Sequence, residues 1–139
     1  MKEKILVTGG AGFIGSFIVD ELVSRGHHVR ILDNLEPQVH GSEGSAPEYL
    51  NPEAEFIKAD VRDADALRRA LDGVEVVFHE AALVGVGQSM YQIRRYTDIN
   101  AIGAAALLDV VAAGRSNVRK MLVASSMSIY GEGKYECGK

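Results

Sequence analysis

The residues Thr8-Gly9-Gly10-Ala11-Gly12-Phe13-Ile14-Gly15 set four glycines between a short apolar run, Lys4 to Thr8, and a segment with helical spacing. At such a handover from strand to helix, Gly9 permits a sharp turn, Gly12 lets an anionic group approach the backbone, and Gly15 allows close packing of the helix. The helix start adds unpaired N–H donors and positive dipole charge. The chemistry indicated is a grip on the pyrophosphate of a dinucleotide. A glycine pattern alone is also compatible with a mere turn; the strand-turn-helix context favours the nucleotide.

Asp33 closes the next apolar run, where a carboxylate can accept both hydroxyls of an adenosine ribose and would repel a 2′-phosphate. The following Asn34-Leu35-Glu36 offers no arginine for such a phosphate, so NAD is expected over NADP, although Arg30 is near in sequence. The bland alternative for Asp33 is an ordinary strand-end turn residue. Ser125 and Ser126 follow a later apolar run, at the sheet edge that faces a substrate crevice. His79 ends another; a satisfied structural histidine is the expectation there, not an acid, a base or a metal ligand.

These groups need elements to hold them. Hydrophobic spacing predicts strands at Lys4–Thr8, His28–Asp33, Glu55–Ala59, Val74–His79 and Val118–Ala124. Helices are predicted at Phe13–Arg25, Asp63–Leu71 and over most of Ser89–Ala113, ended by Gly26, Gly73 and Gly114. In the last of these, Gly103 and the alanines allow a neighbour to approach closely. Residues 36–52 hold all three prolines and read as a long surface loop, of a kind that often serves binding. Alternating strands and helices without hairpin signals imply an α/β fold: a doubly wound parallel sheet with helices on both faces.

The bulk composition sets outer limits. One domain of 139 residues, 47% hydrophobic and 24% charged, can bury a core without disulfides or metal. No apolar run approaches the roughly 18 residues of a membrane span, and the N-terminus lacks a signal-peptide pattern, so a cytoplasmic protein with no membrane partner is expected. A net charge of −4 gives no footprint for nucleic acid. The single cysteine, Cys137, forms no internal disulfide and no metal site alone.

Five separated segments together resemble the extended short-chain dehydrogenase/reductases, specifically the NAD-dependent epimerase/dehydratase family acting on nucleotide sugars. They are TGGAGFIG at 8–15, LDN at 32–34, ADV at 59–61, HEAA at 79–82 and SSMSIYG at 125–131, spanning essentially the whole chain. The resemblance implies cofactor contacts at Gly9, Gly12, Gly15, Asp33 and Asn34. It puts Phe13 and Ile14 beside the pyrophosphate, Asp60 and Val61 against the adenine, Ala81, Ala82 and Leu83 along the nicotinamide ribose, and Asn100 near the cofactor. It makes Ser126 the catalytic serine that bonds the sugar C4 oxygen while hydride moves between C4 and nicotinamide. Tyr130 reads as a structural aromatic. On local grounds Asp60 could instead cap the helix near Asp63, and Asn100 could be a helix polar group bonded to backbone.

The family's base is a tyrosine in a Tyr-x-x-x-Lys pair on a later helix, where the ammonium favours the phenolate. Tyr135 to Lys139 has that spelling, but it lies too close to Ser126, contains Gly138 and is too short to nucleate a helix. The chain is therefore expected to be an N-terminal portion, truncated after the fifth strand, without the base and the C-terminal substrate domain, and inactive alone. Val84-Gly85-Val86-Gly87 departs from the lysine usual in galactose-type epimerases at that place, which leaves epimerase and dehydratase both open. Tyr135-Glu136-Cys137 could begin a cysteine-pair insert of the kind some relatives carry. Two further readings stand beside the enzyme: a non-catalytic NAD-binding or sensing module, and a fragment that self-associates through an exposed sheet edge. A homodimer would follow the family's habit.

Overall fold

Apolar residues alternate along the first strands so that Leu6, Leu32 and Val77 face one way and Val7 and Ile31 the other, and each set is buried. A sheet with two apolar faces must be covered on both. The computed structural model, which describes residues 2–42, 44–131 and 133–138, shows how. Among these residues, β1 (Lys4–Thr8), β2 (His28–Asp33), β3 (Glu55–Lys58), β4 (Val76–His79) and β5 (Lys120–Val123) form one parallel sheet in the order β3-β2-β1-β4-β5. Helix α1 (Phe13–Ser24) covers one face through Ile18, Val19, Leu22 and Val23. Helix α3 (Ala64–Ala70) and the long helix Ile93–Gly114 cover the other through Ala66, Leu67, Ala70 and Leu107. The doubly wound fold expected from the sequence is the fold observed.

The boundaries differ in instructive places. Asp63 is the N-cap of α3, accepting from the N–H groups of Asp65 and Ala66, so Asp60 does not cap that helix. The loop at residues 36–52 contains a one-turn helix, α2 (Pro37–His40). The helix expected over Ser89–Ala113 is broken at Gln92 into α4 (Val86–Tyr91) and the long helix, whose Thr97–Ile102 stretch is a wider π-helix. Close approach at Gly103 is real: a Cβ there would lie 2.7 Å from Val61 Cγ2.

Contrary to the expectation of no such run, the long helix is long and apolar enough to cross a membrane by length and composition. The reason is that only Asp98 and Asp109 carry charge between residues 96 and 113. In the fold it is the crossover between β4 and β5, and Tyr96, Ile99, Gly103 and Leu107 form its buried stripe.

Arg30 is a buried residue on β2, and its guanidinium is committed within the protein. Nε donates to Glu55 at 2.7 Å, and Nη1 donates to the carbonyls of Ala70 at 2.7 Å and of Arg69 and Asp72 at 3.2 Å each. A cation at the C-terminal end of α3 is favoured by the helix dipole and satisfies its last carbonyls. Replacing Arg30 with Met should therefore cost about 2–3 kcal/mol, because the carbonyls beneath it lose their donor. Glu55→Gln should cost less than about 1 kcal/mol, because that carboxylate is half exposed. Urea unfolding of the two variants checks the ranking.

Candidate functional site

Parallel register brings the C-terminal ends of the strands to one edge: Thr8 pairs with both Leu32 and His79, and Asp33 with Lys58. The chain leaves β1 toward one face of the sheet and β4 toward the other, which opens a crevice between the two turns. It measures about 1140 Å³. Its lining includes Gly9, Gly12, Phe13, Ile14, Gly15, Asp33, Asn34, Asp60, Val61, Ala81, Ala82, Leu83, Asn100 and Ser126, so every site residue expected from the sequence converges on one cavity.

Within the glycine turn the three positions have different physical reasons. Gly9 has φ +70°, and a Cβ there would meet the Ala81 nitrogen at 2.7 Å, so the turn after β1 packs directly on the turn after β4. A Cβ at Gly15 would meet the Gly9 carbonyl oxygen at 2.2 Å; the helix packs on the turn itself more than on the sheet. At Gly12 a Cβ would meet only the Gly9 carbonyl oxygen, at 3.2 Å, and otherwise project into open space. Gly12 is also the N-cap of α1 and offers no side-chain acceptor, which leaves the first-turn N–H groups available to a ligand anion.

Asp33 has two duties. Its Oδ2 accepts the Ala11 N–H at 3.0 Å and its Oδ1 the Leu35 N–H at 2.9 Å, which fixes the glycine turn and the exit from β2. A carboxylate has lone pairs left for two ribose hydroxyls. Arg30, the one arginine near it in sequence, is held beneath α3 and is not offered to a 2′-phosphate. Asp60 is chelated by Arg62, through Nε at 2.8 Å and Nη2 at 2.7 Å, and receives Asn34 Nδ2 at 3.4 Å. The hydrogen bond from Arg62 lowers the Asp60 carboxyl to about 2, against the opposing effect of burial.

Asn100 takes the form of its bland alternative while still lining the crevice. Its Oδ1 accepts the Leu83 N–H at 2.8 Å and its Nδ2 donates to the Leu83 carbonyl at 3.1 Å. The side chain thus orients the peptide after β4, and the π-helical turn that carries it is of a kind often found at functional sites. His79 is buried, and its Nδ1 lies 2.7 Å from Thr8 Oγ1. Burial pushes its pKa below the ordinary value by disfavouring the charged ring. Ser126 follows β5 and caps the 3-10 turn Met127–Tyr130, its Oγ accepting the Ser128 N–H at 3.1 Å. Tyr135 to Gly138 forms no helix, and Lys139 lies outside the described residues. Among the described residues, no group of three His, Cys, Asp or Glu side chains is arranged to hold a metal.

Sequence reasoning marked the loop at 36–52 as of a kind that often serves binding, but missed which of its residues reach the site. Tyr49 donates its hydroxyl to the Ala11 carbonyl at 2.6 Å, and His40 Nε2 lies 3.9 Å from Asp33 Oδ1. Burial, then the Asp33 charge, raises the Tyr49 phenol. Only the run of prolines and glycines hinted at such a loop; partners 38 residues apart leave no local pattern.

The two shifted groups give separable pH windows. His79 is held below its ordinary 6.5, so its contribution to stability is complete above that value and is lost as pH falls toward the lowered one. Asp60 contributes fully above 3.8 and loses its contribution as pH falls toward about 2. In His79→Gln the loss of stability just below pH 6.5 should disappear while the more acidic one stays, as read by thermal melts across pH.

Known proteins are similar to this chain in sequence and fold. The NAD dependent epimerase/dehydratase family pattern matches residues 5–137. The dTDP-L-rhamnose 4-epimerase of Burkholderia thailandensis is 39% identical over 136 residues, covering 96% of this chain and 37% of that protein. The crystal structure of UDP-glucose 4-epimerase from Thermotoga maritima with UDP-glucose is 36% identical, with TM-score 0.79, over 96% of this chain and 41% of that one. The Brucella ovis UDP-glucose 4-epimerase in complex with NAD is 29% identical, with TM-score 0.81, over 96% and 38%. The chain thus spans about two fifths of the length of these relatives, and it is homologous to their N-terminal, NAD-binding part. It belongs to the NAD-dependent epimerase/dehydratase family.

Proposed function

We propose that this chain is the NAD-binding part of a nucleotide-sugar 4-epimerase. The observation that carries the reading is the convergence of the glycine turn, Asp33 and Ser126 on one crevice. The first-turn N–H groups of α1 take the pyrophosphate at Gly12, Asp33 takes the adenosine ribose hydroxyls, and Asn34, Asp60 and Val61 flank the adenine. Ala81, Ala82 and Leu83 line the nicotinamide ribose, with Asn100 holding Leu83. Bound NAD would supply a hydride acceptor and donor for the sugar C4. The Ser126 hydroxyl would bond the C4 oxygen and hold it in line with that exchange. The relatives named for 4-epimerisation of dTDP- and UDP-sugars favour an epimerase over a dehydratase. We further propose that this chain by itself holds the cofactor and does not complete the proton transfer, because Tyr135 to Gly138 forms no helical turn that would set a tyrosine beside a lysine.

Calorimetric titration should show NAD binding, with NADP at least about tenfold weaker because Asp33 repels a 2′-phosphate. Gly12→Val should abolish the heat, since the new side chain fills the space reserved for the anion. Asp33→Asn should weaken NAD and narrow its margin over NADP. The absence of both heat and thermal stabilisation on adding NAD to the unsubstituted chain would overturn the proposal. UDP- and dTDP-hexoses should not be epimerised by this chain alone; measurable turnover would refute its dependence on a further base.

A further inference from the structure

Helix α2 departs from β2, whereas α4 and the long helix depart from β4, and β1 with its glycine turn lies between those strands. Contacts between the two segments therefore bridge the crevice. Gln38 and Gln88 form a reciprocal amide pair, Gln38 Nε2 to Gln88 Oε1 at 3.3 Å and Gln88 Nε2 to Gln38 Oε1 at 3.2 Å. Tyr96 adds its hydroxyl to Gln88 Oε1 at 2.9 Å. Beside them Arg95 Nη2 donates to Glu36 Oε1 at 2.7 Å, and Arg95 Nη1 to Gln92 Oε1 at 3.0 Å.

We propose that α2 is a latch over the adenosine end of the crevice, fastened to the far wall by the Gln38–Gln88 pair and the Glu36–Arg95 ion pair, and that it governs entry and release of the dinucleotide. The inference rests on the dinucleotide reading above and adds how that site opens. Three observations support it. The latch covers the group the ribose must reach: the His40 side chain is 6% exposed, that of Asp33 9%, and they lie 3.9 Å apart. No residue of α2 belongs to either hydrophobic cluster, and Val39 is two-thirds exposed, so polar contacts fasten it. Both ends turn through left-handed backbone, Leu35 at φ +56° and Gly41 at φ +75°, and Leu35 is buried as an anchor. Gln38, Gln88 and Arg95 do not line the crevice, so removing them loosens the fastening without deleting a ligand contact.

The test uses NADH as the probe, with binding followed by its own fluorescence in stopped flow and dissociation by a chase of excess NAD. Gln38→Ala, Gln88→Ala and Arg95→Gln should each raise the dissociation rate about 2- to 10-fold, the range one fastening contact supplies. They should raise the association rate by a similar factor and leave Kd nearly unchanged, because a latch obstructs both directions. The double variant Gln38→Ala/Gln88→Ala should add little to the larger single effect, because the two amides share one pairing. Amide exchange at Val39, His40 and Gly41 should quicken in the same variants, with the melting temperature held. Rates equal to those of the unsubstituted chain would overturn the latch alone, as would faster release with slower entry. If the unsubstituted chain binds no NADH, the dinucleotide reading falls and the latch falls with it.

Discussion

The hydrogen bond from the Ala11 N–H to the Asp33 carboxylate ties the strand ladder to the glycine turn, and the rest of the site depends on it. Asp33 sits at the end of β2, beside β1, so it reaches the turn without leaving its own strand. The same carboxylate takes the Leu35 N–H, and the Tyr49 hydroxyl donates to the Ala11 carbonyl, which fixes the next peptide of the turn. The turn is thereby held before any ligand arrives. A preformed array of N–H donors binds an anion without a further ordering cost.

The charges around the crevice are arranged to leave the anion to the main chain. Arg30 is committed to Glu55 and the end of α3, Arg62 to Asp60, and Arg95 to Glu36. Each of these cations has an internal partner, and the end of the crevice beside α2 carries the carboxylates of Asp33, Asp60 and Glu36. On the reading proposed above, a dinucleotide would lie with its hydroxyls and base at this acidic end and its pyrophosphate at the positive end of α1. A nucleotide with a phosphate on that ribose would meet the same acidic end with the wrong sign.

Support for the site is uneven along its length. The glycine turn and Asp33 rest on β1 and β2, which are buried on both faces. Ser126 follows β5, which among the described residues pairs only with β4 and leaves Val123 61% exposed, and it is oriented by a one-turn helix bearing exposed Met127, Ile129 and Tyr130. The proposed cofactor grip is thus built into the core, whereas the hydroxyl proposed for the sugar follows an edge strand.

The sequence by itself determined what repeats locally. Short apolar runs bounded by turn residues defined β1 and β2 to the residue, and the glycine turn and strand-end Asp33 were legible because strand, turn and helix follow one another within a few residues. The capping role of Asp63 and the double grip of Asn100 on Leu83 were only partly legible, since each side chain had several partners within reach of its backbone position. What tertiary structure alone decided is the set of contacts between distant segments: Tyr49 on Ala11, Gln38 on Gln88, Arg95 on Glu36, and Arg30 beneath α3. A side chain's local spacing fixes the face on which it emerges, but its partner is chosen only when the sheet brings strand ends from far along the chain to one edge.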